Sequence, residues 1–184
     1  MLLLIPDDRR TEAFDEVVDH YEKKIFNLIF RLVCDWEDAA DLTQETFVAA
    51  FRAYDSFRGE SSVYTWLCRI AINRCKNRFR SRDKQRDIEG LSLDETNLAE
   101  TTATDGRSNP EKSLEQSELR NHVEQAIARL PDDYKIVVLL RDLQGLSYQE
   151  IAEATELSLD VVKTRLARGR AMLRRVLEPY IIVE

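Results

Sequence analysis

Between Trp66 and Arg86 the sequence reads WLCRIAINRCKNRFRSRDKQR. It carries eight basic residues (Arg69, Arg74, Lys76, Arg78, Arg80, Arg82, Lys84 and Arg86) against a single acid, Asp83. The stretch is strongly positive inside a 184-residue chain whose net charge is −7. A reversal of sign this concentrated is a footprint for a polyanion. At 3.6 residues per turn, Leu67, Cys68, Ala71, Ile72, Cys75 and Phe79 share one face, and Trp66, Arg69, Asn73, Lys76, Asn77 and Arg80 share another. The stretch therefore reads as an amphipathic helix with an apolar back and a basic front. Trp66 on that front suits stacking on a base beside phosphate contacts. The plainer alternative is a soluble Arg-rich helix with Trp66 tucked under a neighbouring loop.

Such a helix needs partners of its own kind. Apolar residues make up 43% of the chain and charged residues 33%, and five glycines and four prolines leave little room for a turn-rich β fold. The expected fold is all-α, and the length suits one ordinary domain or two small ones. The N-terminal MLLLIPDD is too short to span a membrane and lacks the basic start of a signal peptide. A cytoplasmic protein is expected. Cys68 and Cys75 lie two turns apart on one helix, roughly 10 Å by the helical rise, too far to bridge. Cys34 stands alone, and neither His20 nor His122 has a cysteine partner at zinc-site spacing. The cysteines read as small core residues, and no metal or cofactor is expected.

Charge is also blocked along the chain. Residues 1–65 and 87–160 are acidic, whereas 66–86 and 161–184 are basic. Two basic patches separated by acidic sequence point to two nucleic-acid contacts.

Ahead of the basic stretch, residues 11–33 form a first helix, with Thr11 able to cap it and an apolar stripe from Phe14 to Leu32. Asp35 caps a second helix, with Asp38 at its positive end. That helix runs to about Tyr54, with Ala39, Leu42, Phe47 and Ala50 inward. On another of its stripes Asp41, Gln44, Glu45, Val48 and Arg52 form either a solvated surface or a dock for a basic partner helix. Residues 55–62, DSFRGESS, are a loop with Gly59 at a tight turn. Phe57 at its tip is either an anchor into the core or a stacking platform.

After Arg86 helical periodicity stops. Residues 87–112 are rich in Asp, Glu, Thr, Asn, Ser and Gly and read as a flexible acidic linker, either a plain tether or a transient screen for the basic faces. Pro110 suits the first position of a helix that runs to about Leu130. Pro131 separates it from a core segment holding the apolar run Ile136 to Leu140, which Gly145 ends. Ser147-Tyr148-Gln149-Glu150 is a capping box that opens a short helix. A turn at Glu156-Leu157 follows, and Ser158 caps a longer helix. Its apolar stripe is Val162, Leu166, Leu173, Val176 and Leu177, with Gly169 allowing close packing. Asp160, Lys163, Thr164, Ala167, Arg168 and Ala171 line the opposite face. Short helix, tight turn and longer basic helix make a helix-turn-helix pattern. The small alanines in the exposed row let it approach base edges.

The run Asp38-Ala-Ala-Asp-Leu-Thr-Gln-Glu-Thr-Phe, then Asp55-Ser-Phe-Arg-Gly-Glu-Ser and Tyr64-Thr-Trp-Leu-Cys-Arg-Ile-Ala-Ile-Asn, resembles the sigma-2 domain of extracytoplasmic-function (ECF) sigma factors. The run Leu130-Pro-Asp-Asp-Tyr, then Leu146-Ser-Tyr-Gln-Glu-Ile-Ala and Val161-Val-Lys-Thr-Arg-Leu-Ala-Arg-Gly-Arg, resembles their sigma-4 domain. The likeness is to the RpoE-like group of the sigma-70 family. It implies an N-terminal tail over 1–10, a sigma-2 helical bundle over 11–86, the linker over 87–112 and a sigma-4 domain over 113–184. The implied function is that of an alternative sigma factor, which places core RNA polymerase on −35 and −10 elements and promotes melting at a stress regulon. Implied partners are core polymerase (β′ clamp helices and β flap), promoter DNA and an anti-sigma factor.

By the same resemblance Asp41, Gln44, Glu45 and Val48 grip the clamp helices. Phe57, Arg58, Ser61, Trp66, Arg69, Asn73, Lys76, Asn77 and Arg80 hold the melted −10 strand. Ser158, Lys163, Thr164, Ala167 and Arg168 enter the −35 major groove, with Arg141 and Arg170 on phosphates. Asp160 departs from the glycine frequent there, which bears on −35 preference. No further regulatory domain is expected after the last helix. An autonomous helix-turn-helix regulator is the alternative, but duplex binding has no need of the second basic unit with its Trp. No P-loop, His-Glu-x-x-His, Gly-x-Ser-x-Gly or cysteine–histidine cluster marks a reaction centre, so no enzyme is expected.

Overall fold

The computed structural model describes residues 7–89 and 110–180. Helix α1 (Asp7–Val33) is followed by α2 (Trp36–Ala53), a short 3-10 turn (Tyr54–Ser56) and α3 (Val63–Glu89). Helix α4 (Pro110–Ala128) leads to α5 (Asp132–Val138), which continues as a wider turn over Leu139–Leu143. Helices α6 (Tyr148–Thr155) and α7 (Leu159–Leu177) follow, and a 3-10 turn, Glu178–Tyr180, is the last element among the described residues. No strand occurs among the described residues. Most of the expected linker, the first residues of the expected tail and the last four residues lie outside them. Helix α1 begins before Thr11, so Thr11 sits inside the helix and does not cap it.

The break between α1 and α2 is built locally. Cys34 adopts a left-handed φ of 55°, and its N–H closes the last turn of α1 on the Phe30 carbonyl at 2.8 Å. Asp35 then accepts the Asp38 N–H at 2.8 Å and starts α2. Phe14, Ile25, Leu28, Ile29 and Leu32 of α1 are buried with Leu42, Phe47 and Ala50 of α2 and Leu67, Ala71 and Ile72 of α3. Phe14 meets the rings of Phe47, Phe51 and Tyr54 edge-on. Thr43 and Thr46 are also buried, and each donates its hydroxyl to the carbonyl four residues back, Ala39 and Leu42, so neither leaves a polar group unpaired.

In the second half of the chain the run Ile136 to Leu140 is fully enclosed. Past Val138 the helix widens, and the Gln144 N–H reaches back five residues to the Leu139 carbonyl at 3.0 Å. Gly145, at φ +73°, then turns the chain toward α6. Val162 and Leu166 of α7 pack inward and Gly169 is buried. Val176 departs from the expected stripe. It is 44% exposed, while Leu173 and Leu177 stay half-buried. One residue of rotation, about 100° on a helix, is enough to carry Val176 to solvent.

Helix α6 lies along α3. Thr65 Oγ1 reaches Glu150 Oε1 at 3.3 Å, Lys76 Nζ donates to the Thr155 carbonyl at 3.3 Å, and Arg69 pairs with Glu156 at 2.8 Å. Tyr64 O–H donates to the Gln144 side chain. Arg31 of α1 meets Glu124 of α4 at 3.3 Å. Cys68 and Ile72 of α3 and Ile151 and Ala154 of α6 belong to one continuous buried core.

Candidate nucleic-acid interface

The basic stretch of α3 divides into two rows. Arg74, Arg78 and Arg82, four residues apart, turn toward α2. Arg78 meets Asp38 at 3.5 Å, Arg82 is bonded to the same carboxylate, and Arg74 meets Glu45 at 3.5 Å. Three of the eight cations thus fasten α3 to α2. The outward row holds Arg69, Asn73, Asn77 and Arg80, all exposed, and the half-buried Lys76. Asp38, read from sequence as a helix-terminus acid, is also the anchor of this clamp.

Ser62 opens α3, its hydroxyl accepting the Thr65 N–H at 3.0 Å. This fixes the loop before it, where Gly59 takes φ +72°. Phe57 and Trp66 lie against each other with ring centroids 4.8 Å apart and planes at 32°. Both are half-buried, and Trp66 packs against the core. This differs from a Trp lying open on the basic front. So large an apolar ring gains by burial, and the loop tip supplies the cover. Phe57 is neither a deep core anchor nor a free platform, but half of an aromatic pair whose other half is Trp66. Arg58 is exposed beside it and Ser61 half-buried.

On α2, Asp41, Gln44, Glu45 and Val48 form an exposed row. Gln44 and Val48 also border an open apolar groove of about 1170 Å³ between α1 and α2, lined among others by Phe14, Val18, Phe26, Trp36, Phe47 and Phe51. Trp36, 66% exposed, rests edge-on against Phe26. Sequence reasoning did not single out this groove. Its signal was Phe26 on α1, outside the stripe read from sequence, and an exposed Trp36 at the first position of α2.

The helix-turn-helix is formed by α6 and α7. Ser147 accepts the Glu150 N–H at 3.2 Å while the Glu150 carboxylate accepts the Ser147 N–H at 2.8 Å. The Ser147 N–H, donated to it, holds the Glu150 carboxyl below the usual range for a glutamate. Glu156 makes the turn at φ +60°, and Ser158 caps α7 through the Val161 N–H at 3.4 Å. Asp160, Lys163, Thr164, Ala167, Arg168 and Ala171 are all exposed along α7, and the Thr164 hydroxyl donates to the Asp160 carbonyl at 2.7 Å. Arg141 and Arg170 are held from within. Arg141 donates to the Leu146 carbonyl at 2.8 Å and lies 5.1 Å from the Tyr148 ring centroid. Arg170 is forked onto Asp142, its Nε at 3.1 Å.

Residues 17–85 match the family described as Sigma-70 region 2, and residues 120–173 match Sigma-70, region 4. The chain is 36% identical over 170 residues to the RNA polymerase sigma-H factor of Pseudomonas aeruginosa, covering 92% of this chain and 88% of that protein. The ECF RNA polymerase sigma-E factor of Haemophilus influenzae is 37% identical over 171 residues, covering 92% and 90%. That of Escherichia coli is 36% identical over 173 residues, covering 92% and 89%. The chain belongs to the ECF sigma factors. Two solved structures share the fold of this sigma factor. One is RpoE from Bartonella quintana in complex with the anti-sigma factor NepR, at TM-score 0.72 and 20% identity, covering 91% of this chain and 98% of that one. The other is CnrH in complex with the cytosolic domain of CnrY, at 0.64 and 24% identity, covering 92% and 90%.

As a sigma factor it acts with core RNA polymerase in transcription initiation at promoter DNA. Its sigma-2 and sigma-4 units carry separate faces suited to nucleic acid. The α3 row with the aromatic pair suits a single strand, offering cations for phosphates and a ring face for a base. The α7 row, polar and thinned by alanines, suits a duplex groove. Among the described residues no cluster of three or more His, Cys, Asp or Glu is arranged to hold a metal ion. No described helix is long and apolar enough to cross a membrane.

Proposed function

We propose that this sigma factor works as a two-point promoter clamp with no chemistry of its own, acting in the cytoplasm on a stress regulon. The α2 row Asp41, Gln44, Glu45 and Val48 takes the β′ clamp helices, and sigma-4 sits at the β flap. The loop with Phe57, Arg58 and Ser61 and the front of α3, with Trp66, Arg69, Asn73, Lys76, Asn77 and Arg80, hold the melted −10 strand. Ser158, Lys163, Thr164, Ala167 and Arg168 read the −35 duplex, with Arg141 and Arg170 against phosphates. One structural neighbour was solved with an anti-sigma factor, and a partner of that class is proposed here too.

The observation that carries this reading is the split of the α3 cations. Arg74, Arg78 and Arg82 fasten α3 to α2, and Arg69, Asn73, Lys76, Asn77 and Arg80 form a separate row along the same helix, which has the Phe57–Trp66 pair at its start. The test is run-off transcription from genomic fragments with purified core polymerase, with and without the protein. The expected result is a set of protein-dependent transcripts together with core binding. Absence of both overturns the proposal.

A further inference from the structure

Asp160 stands in the middle of the exposed face of α7. By the helical period it lies about 180° around the axis from the buried Gly169, and Ala167 and Ala171 fall within about 20° of it. Lys163 stands about 60° to one side and Arg168 about 80° to the other. The Thr164 hydroxyl donates its only proton to the Asp160 carbonyl at 2.7 Å. Outward, Thr164 therefore presents a methyl and an oxygen that can only accept. Glu150, Asp133 and Asp142 of the same unit are engaged within the fold, in the capping box, with Arg165 and with Arg170. Among the described residues no cation pairs with the Asp160 carboxylate.

We infer that Asp160 is a base-reading residue that selects a cytosine in the −35 element, an inference that rests on the reading of α7 as the duplex helix. A carboxylate is repelled by phosphates, which line the rims of the groove. The middle of the face, thinned by alanines and flanked by cations, is where a helix meets base edges instead. There Asp160 and Thr164, four residues apart and so neighbours on the helix surface, form an edge that accepts and cannot donate. In the major groove guanine shows only acceptors, and thymine an acceptor and a methyl, so both leave that edge without a proton. Adenine sets its N7 acceptor beside its amino group. Cytosine offers its N4 amino group with no acceptor of its own in that groove, and it is the base from which carboxylates accept. A first-turn acid also suits the positive end of α7. That role shows in stability and leaves base preference untouched, so the two are separable.

The test uses the full chain with core polymerase on a promoter library in which the −35 element is randomised, and counts bar-coded transcripts by base at each position. Preference is a ratio within each variant's own library, so a general loss of activity does not mimic a change in it. The parent is expected to favour cytosine by about fivefold or more at one position of one strand, the lower end of the ordinary cost of a mismatched base pair. Asp160→Gly is expected to remove that preference and to leave the other positions unchanged. Asp160→Asn, whose amide pairs with adenine N6 and N7, is expected to move the preference from cytosine to adenine. A parent with no cytosine preference overturns the inference. So does a lowered thermal midpoint in both variants with every base preference kept, which leaves the acid as a helix-end stabiliser only. A uniform rise in transcription from all sequences in Asp160→Gly, again with preferences kept, overturns it too, because the carboxylate then only repels phosphates. Lys163→Glu separates this inference from the reading beneath it. If Lys163→Glu abolishes −35 dependence while the Asp160 variants keep every parental preference, the cytosine contact alone falls. If Lys163→Glu leaves −35 dependence intact, α7 is not in the groove and both fall.

Discussion

Gly169 of α7 faces Val138 of α5 so closely that a Cβ placed on it would lie 2.8 Å from Val138 Cγ2 and 3.3 Å from Tyr134 Cβ. Neither neighbour can give way easily. Val138 is 2% exposed and stiff at χ1, and the Tyr134 atom sits next to the backbone.

Gly169→Ala is therefore expected to destabilise the sigma-4 unit. Helix propensity alone would favour alanine by about 1 kcal/mol. Overpacking of this kind costs roughly 1–3 kcal/mol, and the collision distance places this site in the upper part of that range. Urea denaturation followed by circular dichroism checks the sign. A stabilised variant would show that α7 can slide away from α5.

Trp66→Ala is expected to slow open-complex formation about tenfold or more, since stacking on a base is worth roughly 1–3 kcal/mol, while core binding stays within about twofold. Because Trp66 also covers Phe57, its thermal midpoint should be measured alongside. Permanganate reactivity of the melted bubble gives the first quantity and native-gel titration of core the second. Equal loss of both would count against a stacking role.

Lys163→Glu is expected to remove −35-dependent transcription. Lys163 is exposed on α7, so the variant should fold with a stability within about 0.5 kcal/mol of the parent. Unchanged transcription from a −35-dependent promoter would take α7 out of the groove.

Burial pushes the thiols of Cys68 and Cys75 up to about 12. In the unfolded chain a cysteine ionises near about 8.5. The folded state thus keeps protons that the unfolded state gives up. Its advantage from these groups is whole below about pH 8.5 and declines as pH rises toward about 12. Denaturation midpoints should fall over that alkaline window, and less so in a Cys68→Ala, Cys75→Ala double variant. Half-buried Cys34 should react first with a thiol reagent in the native protein at pH 8. Equal rates for all three thiols would show that α3 is not held in the core.

The local features were readable from sequence because their partners are neighbours in the chain. The Asp35 cap, the Ser147–Glu150 box and the turn at Glu156 each need only a few adjacent residues, and the helices fell nearly where the periodicity put them. The features that were not readable join distant segments. Arg82 bonds to Asp38 across 44 residues and Tyr64 to Gln144 across 80. A run of eight cations gives no sign of which three a neighbouring helix will neutralise. Trp66 lies between the two cases, since its helical phase placed it on the front, cover by the neighbouring loop was the stated alternative, and only the fold identified Phe57 as the covering residue.

Glu156 holds φ +60° at the turn between α6 and α7, a conformation that costs a residue with a side chain roughly 1–2 kcal/mol and glycine almost nothing. Anyone seeking a sturdier version of this protein would replace it with glycine first. That change would relax the bend and at the same time delete the carboxylate beside Arg69. An unstrained bend and an ion pair from that bend to α3 are thus set against each other at one position, and the natural residue keeps the ion pair.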